Sequence, residues 1–161
     1  MKKFLILISV MVILAGCGKK AEEAVKETTA EEKVTVPELN WTYSIEEALK
    51  TANEKNLTLL VNFTGSDWCG WCFRLRDEVF TQPEFIEFAK NSLVLVELDY
   101  PQKKEQTDEM KAYNRKILEK YGVRGFPTIL LINKEGNEIG RTGYKQGGAA
   151  AYVEHIKSFI K

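Results

Sequence analysis

Histidine is nearly missing from this chain: His155 is the only one in 161 residues. Cysteine is scarce as well, with three, and proline with four. One imidazole cannot build a histidine-rich metal centre, and zinc wants about four ligands. Charge has no bias, because 23 Lys and Arg balance 23 Asp and Glu. A nucleic-acid surface needs a basic excess, so this composition gives no basis for one. Long apolar runs are absent too. Residues 4–14 form the most continuous one, broken by Ser9, and a bilayer-spanning helix needs roughly 20. No segment repeats another.

What is present begins at the front. Lys2 and Lys3 precede the short apolar run, the arrangement of a secretory leader. The run ends in Leu14-Ala15-Gly16-Cys17, which resembles the lipobox of bacterial lipoproteins. The resemblance implies cleavage before Cys17 and acylation of its thiol; the alternative is an uncleaved anchor with an incidental cysteine. Residues 1–16 are therefore read as the leader. Residues 17–40 carry the lipidated Cys17 and a stretch of Lys, Glu, Ala and Thr too poor in large apolar groups to fold, a disordered tether. A solitary helix over 21–33 would lack an apolar stripe. Loss of Lys2 and Lys3 tips the mature chain slightly acidic, so membrane contact comes from the lipid. Residues 41–161 suffice for one core.

Ser44-Ile45-Glu46-Glu47 fits a capping box, with Ser44 at the cap and Glu47 reaching back, and predicts a helix to about Lys55. Residues 57–63 and 93–98 read as buried strands by length and near-continuous apolarity. A helix opens at Cys69, breaks at Thr81-Gln82-Pro83 and resumes to Lys90. Residues 102–106 are a charged, solvated loop. Met110, Tyr113, Ile117 and Tyr121 recur at helical spacing before Gly122. Strands 128–132 and 138–142 flank the turn Asn133-Lys134-Glu135-Gly136. Tyr152, Ile156, Phe159 and Ile160 share one face of a last helix. A helical crossover makes the first two strands parallel, and the hairpin adds antiparallel ones. The expected fold class is α/β: a three-layer α/β/α domain with a mixed central sheet.

Cys69-Gly70-Trp71-Cys72 sits where strand passes to helix. With Cys17 acylated, these are the only free thiols, and an exported pair this close oxidises unless something reduces it. Exchange needs a thiolate, and a helix N-terminus favours one. Cys69 is thus the expected nucleophile, exposed, and Cys72 the more buried resolving thiol. The alternatives are a static staple, whose loop is too short to constrain the unfolded chain much, and a metal clamp. No metal ligand set is assigned.

Trp68-Cys69-Gly70-Trp71-Cys72 after a strand, with Gly125-Phe126-Pro127-Thr128 before a later one, resembles the thioredoxin superfamily. Ser66-Asp67-Trp68-Cys69 through Val79-Phe80 and Pro83 is similar to the interchange domains of exported members. The resemblance covers residues 41–161. It implies that Pro127 is the cis-proline opposite the disulfide, with Phe126 beside the sulfurs, and that Trp68, Gly70, Trp71, Phe126 and Pro127 bind substrate. Trp71 is either a substrate contact or filler against Asp67. Thioredoxin has a buried aspartate in the preceding strand that helps deprotonate the resolving thiol. The matching position here is about Asn62, which cannot take a proton; Asp67 or Glu97 could substitute. His155 carries no assignment.

The expectation is a lipid-anchored, extracytoplasmic thiol–disulfide oxidoreductase that reduces protein disulfides. It would need no cofactor beyond its own disulfide, act as a monomer and be recharged by a membrane electron donor. Two rivals remain: a lipoprotein holding soft Cu(I) on the same thiols, disfavoured by the missing Met or His cluster, and a redox-inert scaffold.

Overall fold

A computed structural model describes residues 38–160. The leader over 1–16, Cys17 and the tether up to residue 37 lie outside the described residues.

Strand β2 (Thr58–Thr64) is buried along its whole length, as its near-continuous apolar run requires. It lies at the centre of a sheet ordered β1-β3-β2-β4-β5. On one side β3 (Leu93–Asp99) runs parallel to it, in register from Thr58 opposite Leu93 to Thr64 opposite Asp99. On the other side β4 (Thr128–Ile132) runs antiparallel, with Phe63 opposite Thr128. The hairpin continues to β5 (Glu138–Thr142). At the far edge β1 (Trp41–Thr42) pairs parallel with β3. The periodicity did not reveal β1, because two residues are too few to show a period.

Alternation along the strands sorts the core into two halves. Leu59, Val61 and Phe63 of β2 join Val94, Val96 and Leu98 of β3 on one face. That face is covered by α1 (Ile45–Lys55) and α4 (Asp108–Lys120), through Ile45, Ala48, Ala52 and Ile117. On the other face Leu60, Leu93, Leu95, Ile129 and Leu131 meet α2 (Gly70–Leu75), α3 (Pro83–Ser92) and α5 (Gly148–Lys157). Each large apolar side chain removed from water here contributes about 1.5–3 kcal/mol. The mixed, three-layer sheet is as expected.

Local details differ from the sequence reading. Ser44 caps α1 by accepting the Glu47 N–H at 3.2 Å, but Glu46 is the carboxylate that takes the Ser44 hydroxyl, at 3.4 Å. Glu46 is drawn that way by the Tyr113 hydroxyl of α4, 2.7 Å away. The helix opened by Cys69 does not stay α-helical: Arg76–Phe80 forms a π-helical turn ahead of the break at Pro83. Met110 is exposed in the first turn of α4, while Ile117 carries the buried stripe. Phe159 and Ile160 lie beyond the last helix, capped at Ser158, yet still pack on the core. Leu39, within the stretch read as tether, packs there too.

Candidate active site

The carboxyl end of β2 leads through Gly65–Asp67 to the start of α2, and β4 begins at the same end because Phe63 faces Thr128. Register alone therefore brings Pro127 to the strand end from which the cysteine loop departs. Phe126–Pro127 is a cis peptide bond, as the resemblance implied.

Cys69 is the N-cap of α2, and its Sγ accepts the Cys72 N–H at 3.2 Å. The two sulfurs are joined in a disulfide, with Cα atoms 5.2 Å apart. The expected contrast in exposure is not there: Cys69 is 5% exposed and Cys72 6%. In the closed disulfide both side chains are almost wholly covered. What separates them is surroundings. Cys72, and not Cys69, lines a cavity of about 530 Å³ beneath α2, together with Asn62, Arg76, Glu97 and Lys104.

The neighbours are aromatic and open to solvent. Trp68 is 39% exposed and Trp71 54%, and Gly70 between the cysteines is exposed with open space around it. Trp68 is held from three sides. Its Nε1 donates to the Tyr100 carbonyl at 2.8 Å, its ring meets Phe126 edge-on at 5.7 Å, and it lies over Gly65. A Cβ at Gly65 would come within 2.5 Å of the indole, so only glycine permits this approach. Half-buried Phe126 also packs on Tyr100, with ring centres 5.1 Å apart. Trp71 rests on Tyr144 at 5.2 Å, and the Arg74 guanidinium stands over both rings. Its company is therefore Tyr144 and Arg74 rather than Asp67.

Asp67 is committed elsewhere. Its carboxylate accepts the backbone N–H groups of Gln102, Lys103 and Lys104 at 2.7–2.9 Å, and those bonds hold its pKa below the ordinary aspartate range. This makes the charged 102–106 loop ordered rather than merely solvated, and Lys104 Nζ turns back onto Ser66 Oγ at 3.1 Å. His155 meets Thr142 Oγ1 at 2.9 Å, and burial lowers its pKa. Arg74, Tyr144, Arg76 and Lys104 were not legible as site residues: Arg74 shares α2 with Cys72 while the others come from separate segments, and charged or aromatic residues at such spacings are ordinary surface.

Residues 45–156 match the family described as thioredoxin-like domain. Disulfide bond reductase DsbH of Chlamydia pneumoniae is 34% identical over 151 residues, covering 94% of this chain and 90% of that protein. A solved DsbH oxidoreductase structure superposes with TM-score 0.73 at 35% identity, over 87% of this chain and 94% of that one. The oxidised C-terminal domain of Neisseria meningitidis DsbD shares the fold, with TM-score 0.53 at 18% identity over 74% of this chain and 98% of its own. A closed Cys69–Cys72 pair at a strand–helix junction, on a chain matched over most of its length, leaves one conclusion: the chain belongs to the thioredoxin-like family and is a thiol–disulfide oxidoreductase.

Proposed function

We propose that this oxidoreductase is exported, held at a membrane by lipid on Cys17, and reduces disulfides in other proteins. The observation that carries the reading is a disulfide at the cap of α2, set between two exposed tryptophans. The leader ahead of Cys17 supports export, and similarity to a protein described as a disulfide bond reductase supports the direction. A membrane electron donor returns the electrons, and the two sulfurs need no further cofactor.

In the reduced state Cys69 is the attacking thiolate, favoured by the N–H groups of the first turn, that of Cys72 among them. Its sulfur bonds to one sulfur of the substrate disulfide, and the other leaves with the bonding pair and is protonated. Cys72 then bonds to the Cys69 sulfur, the mixed disulfide breaks, and the second substrate thiol departs. Two electrons have passed to the substrate. Trp68, Gly70 and Trp71 form the surface that receives it, and Phe126 and Pro127 offer ring and backbone to an extended segment.

Cys72→Ala should accumulate mixed disulfides with partner proteins, and Cys69→Ala should accumulate few, as read on non-reducing gels. Negligible trapping by both would overturn the mechanism. Equilibration with glutathione tests direction: a strongly reducing dithiol supports a reductase, an oxidising one reverses the assignment.

A further inference from the structure

Resolution requires Cys72 to lose its proton, and the exchange steps above name no group to receive it. On β2, Asn62 follows Leu60 on the face that α2 covers, and it lies in register with Glu97 of β3. Asn62 Nδ2 donates to Glu97 Oε2 at 3.3 Å. Both side chains and Cys72 line the same cavity. Asn62 is 5% exposed, and its Oδ1 is buried with no hydrogen-bond partner among the described residues. A buried acceptor of this kind calls for a donor, and in the reduced protein the Cys72 thiol brings a proton into that cavity.

Other carboxylates near the cavity are less suited. Asp67 is bound by three backbone amides, and Asp99 accepts the Ser66 N–H and hydroxyl at 2.8 and 2.6 Å. Glu38 lines the cavity at its exposed, N-terminal edge. Glu97 is half-buried beside the amide.

We propose that Glu97 is the proton acceptor for Cys72 in the resolving step, reached across the cavity that the two share. The Cys72 S–H proton passes to the Glu97 carboxylate, directly or through solvent in the cavity. The Cys72 sulfur bonds to Cys69 Sγ, and the bond from Cys69 to the substrate sulfur breaks, its electron pair leaving with the substrate. Glu97 returns the proton to the departing thiolate or to solvent. Burial and the neighbouring Asp99 raise the Glu97 pKa, while Asn62, Lys104 and Arg76 oppose the rise. A carboxyl raised toward neutral pH both takes and releases a proton readily. The proposal rests on the dithiol mechanism above.

The test uses the full chain carrying Cys17→Ser, first reduced and freed of reductant so that Cys69 and Cys72 are the two reacting thiols, mixed rapidly with dithiobis(nitrobenzoate). Release of the first coloured thiolate reports attack by Cys69, and release of the second reports resolution by Cys72. Glu97→Gln should leave the first phase unchanged and slow the second on the order of a hundredfold at neutral pH, with its acid-side inflection lost. Glu97→Asp should recover part of the rate. Asn62→Asp placed in the Glu97→Gln chain should recover more, because it returns a carboxylate to the same wall. Glu38→Gln should alter neither phase. A wild-type second phase in Glu97→Gln, or a slowed second phase in Glu38→Gln instead, overturns the proposal. Should Glu97→Gln fail to fold, Glu97→Asp decides, since its second phase alone must slow. Loss of the first phase in the unsubstituted chain would instead count against the dithiol mechanism itself.

Discussion

At the scale of single residues, Asp67 decides more than its loop position suggests. Two residues before Cys69, it ties the 102–104 backbone to the start of the catalytic loop. Those bonds favour the ionised form, so its folded pKa lies below its unfolded one. The stabilisation is therefore complete above the ordinary aspartate range and disappears as pH falls through the depressed folded value. Asp67→Asn should be clearly less stable than the parent at neutral pH. The gap should shrink below about pH 4, as both states of the parent become protonated. Denaturant midpoints across that range check this, and a gap independent of pH would refute it. Asp67 also marks where legibility stops: the sequence leaves it open between a structural acid and a substitute proton relay, and only the fold shows the three amides that claim it. The same holds for the two sulfurs. Their spacing announces exchange chemistry, whereas their near-equal burial is a property of the folded chain that no spacing encodes.

At the scale of elements, runs and caps were readable because they are local. β4 and β5 lie at the bounds that the turn residues between them imply. The π-helical turn over Arg76–Phe80 was not, since one extra residue per turn barely alters a pattern of apolar spacing. The first turn of α2 presents Trp71 outward onto Tyr144, beneath Arg74, and Tyr144 in turn donates to Glu78. Trp71 itself is exposed, and its contacts in this cluster are with an aromatic ring and a guanidinium, an exposed contact of the latter kind being worth about 0.5–1 kcal/mol. Trp71→Ala should accordingly lower stability by no more than about 1 kcal/mol. It should lower kcat/KM for protein disulfides severalfold while leaving the reaction with dithiobis(nitrobenzoate) near its parent rate. Equal losses on both substrates would mean that Trp71 shapes the dithiol rather than receives proteins.

At the scale of the molecule, the site exists because parallel β2 and β3 end where antiparallel β4 begins, which gathers Trp68, Cys72, Glu97 and Phe126 from distant stretches of chain. No local pattern encodes that gathering; the resemblance anticipated part of it, and the cavity beneath α2 not at all. The N-terminal limit of the fold has the same character. Composition shifts at Trp41, but Leu39 is partly buried against the core and, with Glu38, forms one wall of the cavity that Cys72 lines. A chain beginning at Trp41 should thus be less stable than one beginning at Thr35 by about 1 kcal/mol, the worth of a leucine withdrawn partway from water. Its cavity should also admit solvent more freely, so alkylation of Cys72 in a Cys69→Ala background should quicken. Equal denaturant midpoints and equal alkylation rates would place Glu38 and Leu39 with the tether, and the wall they form would have no bearing on the inner thiol.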